Sequence, residues 1–132
     1  MVAELKFLWL SGIGLEMLRI ELTRVTVKVG KSKAVDEWLG FLRDHLGEVL
    51  LTLDAEKMYV ESIFRENIGG SEYMYWYSIQ GENGRSVETS EDLVDRRHLE
   101  YWDECIEPGT EVDIPLAIAM IQAKVEGSFE RV

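Results

Sequence analysis

Residues 57–80 read KMYVESIFRENIGGSEYMYWYSIQ, and this stretch decides the fold. Two runs rich in β-branched and aromatic residues flank Asn67-Ile68-Gly69-Gly70-Ser71. A glycine pair supplies the positive φ angles of a tight hairpin turn. The reading is two antiparallel strands, Lys57–Glu66 and Glu72–Gln80. With Ile68 opposite Ser71, strand periodicity sorts the side chains into two faces. One carries Met58, Val60, Ser62 and Phe64 beside Tyr73, Tyr75, Tyr77 and Ile79. The other carries Tyr59, Glu61, Ile63 and Arg65 beside Met74, Trp76, Ser78 and Gln80. Both faces hold large apolar groups, and exposed patches of that kind mark interfaces.

Upstream, Arg19–Lys28 has the composition of a strand. Gly30 makes the turn and Ser32 is placed to cap a helix. That helix carries Val35, Trp38, Leu39, Leu42, Leu46, Val49, Leu50 and Leu53 at helical spacing, so one unbroken helix is expected despite Gly40 and Gly47. Downstream, Thr89 with Asp92 fits a helix start, and Pro108-Gly109 marks the end. A last short strand is expected within Leu116–Gln122, followed by a fraying tail. The order β-α-β-β-α-β is that of a ferredoxin-like α+β fold, an antiparallel sheet with two helices on one face. Residues 1–16 read as an N-terminal extension, disordered or loosely packed, before a single domain over 17–132. The open face of such a sheet is most simply covered by a second copy in a homodimer.

The chain has 132 residues, which suits one domain. Lys and Arg number 14 against 25 Asp and Glu, and a formal charge of −11 argues against nucleic acid as a partner. A single cysteine, Cys105, excludes an internal disulfide. The apolar run near Phe7–Leu10 falls far short of the ~20 residues of a membrane span and lacks a cleavage signature. A cytoplasmic protein with no membrane contact is the expectation.

The run Arg19–Ser32, ending Val27-Lys28-Val29-Gly30-Lys31-Ser32, resembles the opening of dimeric α+β barrel proteins, among them the antibiotic-biosynthesis monooxygenase-like group. Glu56-Lys57-Met58-Tyr59-Val60-Glu61, Tyr73-Met74-Tyr75-Trp76-Tyr77 and His98-Leu99-Glu100-Tyr101-Trp102-Asp103-Glu104-Cys105 look like a small bacterial family of unknown function. The resemblance covers about residues 17–122. It implies the fold and the dimer, and it carries no activity.

Several motifs fail. Gly30-Lys31-Ser32 lacks the upstream glycine of a phosphate-binding loop, Val25 holding that place. Gly12-x-Gly14 has Met17 where a dinucleotide fingerprint needs glycine. The consensus of RNA-recognition domains is absent.

The second helix offers the candidate site. Val94, His98, Tyr101 and Cys105 share one stripe, so His98 faces the sheet, with Asp95 spaced to orient its ring. Glu61 and Arg24 are charged residues within strands and need partners or a pocket. The favoured reading is a protein that binds a small apolar or aromatic molecule, with Arg24, Tyr75, Trp76, Tyr101 and Trp102 around it. One alternative is a cofactor-independent enzyme, monooxygenase-like or isomerase-like. There His98 is general acid/base, with Glu61 and Tyr77 as the other catalytic groups. A purely structural dimer is the other alternative. No metal site is expected, because Asp95-x-x-His98 lacks further ligands in reach. No cofactor is required either; haem against a helix histidine is the one the barrel architecture admits, by analogy.

Overall fold

The computed structural model describes residues 7–9 and 17–129. Most of the expected extension, residues 1–6 and 10–16, lies outside the described residues, as do 130–132. The strands are β1 (Phe7–Trp9), β2 (Met17–Thr26), β3 (Met58–Ile68), β4 (Ser71–Gln80) and β5 (Val112–Asp113). The helices are α1 (Ser32–Asp44), α2 (Leu46–Ala55), α3 (Leu93–Cys105) and α4 (Ala123–Phe129). The class is α+β.

The strands form one antiparallel sheet ordered β1-β2-β4-β3, and β5 also pairs with β2. The hairpin register is the one that places Ile68 opposite Ser71. Gly69 and Gly70, at φ 57° and 86°, form its two-residue turn. A residue with a Cβ is strained at both. The register holds from Ile68 to Val60 and then slips, because a β-bulge lies between Met58 and Val60. The extra residue exchanges two expected positions. Met58 stands beside Gln80 on the helix side, and Tyr59 turns to the other face.

Other expectations are also corrected. The long helix is two helices, broken at His45 (φ −113°, ψ 26°) two residues before Gly47, a weak helix former. Ser32 does not cap α1; Lys31 holds that position, and Ser32 Oγ accepts from Arg65 Nη2 instead. Val87–Thr89 is a 3₁₀ turn, and α3 begins only after Asp92, whose carboxylate accepts from Arg85 at 2.7 Å. The strand expected within Leu116–Gln122 does not form, because the final pairing is made earlier, by Val112 and Asp113 on Arg24 and Thr23. The tail does not fray away from the fold. Ala119, Ile121 and Phe129 pack with Leu18, Ile20 and Ile79 on the face away from α1–α3, and Phe129 stacks on Tyr59 at 5.1 Å between ring centroids.

The main core lies between α1, α3 and the turn-proximal half of the hairpin. Val25, Val35, Trp38, Met74 and Cys105 are fully buried there. Trp38 is the hub. Its ring centroid lies 5.5 Å from Trp76, 6.2 Å from Tyr101 and 6.1 Å from Trp102. Aromatic groups at those separations add directional attraction to a large buried area.

Candidate functional site

The strand pleat runs on past this core toward Gln80, but the inward positions change character. Facing the helices here are Arg19, Glu21, Met58, Glu61, Ser78 and Gln80. Above them α2 presents Leu46, Val49, Leu50 and Leu53. A cavity of about 980 Å³ lies between the two layers, bounded at one end by Trp76, Trp102 and His98 and at the other by the loop Gly81–Glu88. Gly84 brings that loop against α2's end so closely that a Cβ there would collide with the Glu56 carbonyl.

His98 is buried on α3, and its ring lines the cavity. Trp38 Nε1–H donates to His98 Nδ1 at 2.9 Å. An indole nitrogen is only a donor, so Nδ1 must accept and the proton of the neutral ring sits on Nε2. Burial pulls the imidazole down to about 4, against a smaller upward pull from Asp95. Protonation would also set two N–H groups against each other at Nδ1. His98 is therefore neutral at pH 7 and is a poor general base there. Ring orientation comes from Trp38, not from Asp95 as the helical spacing suggests.

Glu61 Oε1 accepts from Trp76 Nε1–H at 3.1 Å, and burial raises its pKa above the ordinary carboxylate value against that bond. Glu56 closes α2. Its backbone carbonyl accepts from Gln80 Nε2 at 3.0 Å. Its carboxyl is pushed up to about 8 by burial, then by the charges of Asp95 and Glu61, with Arg85 opposing. A proton exchanged near neutral pH in this cavity would thus belong to Glu56 more readily than to His98. Asp95, in the first turn of α3, is buried, and among the described residues its Oδ2 has no hydrogen-bond partner.

Of the residues picked from the sequence, the fold brings together His98, Glu61, Trp76 and Trp102 on the cavity wall. Tyr101 is behind that wall, in the core against Trp38. Arg24, Tyr75 and Tyr77 lie on the opposite face of the sheet. Arg24 sits over the Tyr73 ring at 5.4 Å, and Tyr75 Oη donates to Glu66. Glu56 escaped sequence reasoning because a helix-terminal glutamate carries no mark of burial. The polar inward series Arg19, Glu21, Ser78 and Gln80 was the available signal for a hollow.

The arrangement does not suit iron or another metal at His98. A ligand bond from Nε2 would move its proton to Nδ1 and break the Trp38 contact. Among the described residues no group of three or more His, Cys, Asp or Glu side chains converges as a metal site requires. No helix of the described residues is long and apolar enough to cross a membrane.

No curated protein and no solved structure matches the chain. The sequence profile of one family of unknown function, DUF6176, matches residues 18–127, from the start of the central strand to the last helix. The chain belongs to that family.

Proposed function

We propose that this protein binds a small molecule with an apolar or aromatic body in the cavity between α2 and the sheet. The observation that carries the reading is the unfilled space itself. Leucines of α2 that would normally reach a core line it instead, and Leu50 is 55% exposed. Protein interiors are close-packed, and pockets of about 300–1,000 Å³ with apolar walls and a few polar groups are typical of ligand sites. The test is titration with 2-naphthylmethanol, followed by tryptophan fluorescence, since Trp76 and Trp102 stand in the wall. Saturable binding is expected, lost in Ser78→Phe, which fills the floor, with the melting temperature of that variant kept. Absence of saturation, or saturation unchanged in Ser78→Phe, overturns the reading.

A second reading concerns assembly. In residues 114–122, which form no strand, Ile118 and Met120 are 70% and 85% exposed. Alternate exposed apolar side chains in a segment outside the sheet suit pairing with another copy. This supports a ferredoxin-like homodimer of the dimeric α+β barrel kind, with 114–122 as its shared strand. Native mass spectrometry should give a dimer that Met120→Asp converts to monomer. A monomeric parent protein at micromolar concentration would exclude it.

A further inference from the structure

We infer that the cavity's ligand is an organic cation, an amine or quaternary ammonium group on an apolar or aromatic body. This rests on the binding reading above and specifies its charge. Three carboxylates from three elements line the one cavity: Glu56 at the end of α2, Glu61 on β3 and Asp95 on α3. Among the described residues none of the three forms an ion pair with a basic side chain. The cavity's arginines are committed or peripheral. Arg19 Nε is 2.8 Å from Glu21 Oε1, Arg85 Nη2 is 2.7 Å from Asp92 Oδ2, and Arg43 is exposed.

Asp95 is the independent pointer. It is 4% exposed, lines the cavity, and among the described residues its Oδ2 has no hydrogen-bond partner. A buried acceptor left unpaired is costly, and buried charges are normally matched. A neutral ligand without a donor would leave that oxygen as it is. An anion would meet a wall of acidic groups. A cation offsets it. Trp76 and Trp102, with ring centroids 5.1 Å apart, add the aromatic faces that attract a desolvated ammonium. Glu56 is pushed up first by burial and then by Asp95 and Glu61, and that second part is what crowded acidic groups show.

The experiment compares three naphthalene probes on the full chain by calorimetry: 2-naphthylmethylammonium, 2-(methoxymethyl)naphthalene and naphthalene-2-sulfonate. The cation should bind at least about tenfold tighter than the ether, and the sulfonate weakest. Asp95→Asn should cut cation affinity by about tenfold and bring the cation-to-ether ratio toward one. Glu61→Gln does the same if Asp95→Asn does not fold. If the ether or sulfonate binds as tightly as the cation, the charge inference falls and the cavity reading stands. A cation preference untouched by either variant places the binding elsewhere and also overturns it. If no probe binds, both readings fail.

Discussion

The helix-covered face of the sheet is solid at one end and hollow at the other. At the solid end Val25 faces Met74 across the strands, and Trp38 from α1 closes over them. At the hollow end the same two strands pair Glu21 with Ser78 and Arg19 with Gln80. The register of β2 against β4 is the same at both. What differs is which side chains the pleat points inward, and where the helix layer breaks. Once α1 ends at Asp44, α2 spans polar side chains that it cannot pack against. Close packing and open volume are thereby given to separate ends of one surface.

The comparison can be broken most forcefully at the solid end. Trp38→Ala removes the hub of the aromatic cluster and the donor to His98. It should cost about 3–5 kcal/mol, read as a shifted urea midpoint, as for other large-to-small core changes. A hollow-end change such as Ser78→Phe should cost far less. If the two were equal, the division into solid and hollow would be wrong. A smaller loss, about 1–3 kcal/mol, is expected for Gly84→Ala, where a methyl group meets the Glu56 backbone. A melting temperature equal to the parent's would show that this loop is not pressed against α2.

The smallest effect sharpens the electrostatic contrast. Glu56 is raised to about 8 in the fold from 4.5, so between those values the folded state holds the extra proton. Its contribution is full below 4.5 and is lost as pH rises toward 8. His98 is lowered to about 4 from 6.5, so its contribution is full above 6.5 and is lost as pH falls toward 4. The two oppose each other below pH 6.5, and Glu56 acts alone above it. The melting temperature should therefore decline from pH 6.5 to 8, and Glu56→Gln should flatten that decline. A steeper decline in Glu56→Gln would refute the assignment.

Much of the scaffold was legible in residues 57–80. The glycine pair fixed the turn, and the turn fixed the register, because strand periodicity leaves no freedom once one pair is set. His98 was legible as a sheet-facing position of a regular helix, with Trp102 beside it, and Glu61 and Trp76 were legible as sharing one strand face, with no sign of which face the helices cover. Tyr75 and Tyr77 were not separable from Trp76, since aromatic content says nothing about which face a helix covers. The break at His45 and the docking of Phe129 depend on tertiary packing that short-range propensity does not encode.

The bulge before Val60 has one more consequence. It is a phase shifter. Residues 60–68 keep step with β4 whatever precedes them, while Met58 and Tyr59 are one step out. Straightening the strand there, with no residue added or removed, would leave the hairpin aligned and exchange the facings of Met58 and Tyr59. The bulge therefore sets which side each of them faces rather than the length of the connection. Met58 would leave the cavity and Tyr59 would lose Phe129, so one event in the chain would alter both layers at once.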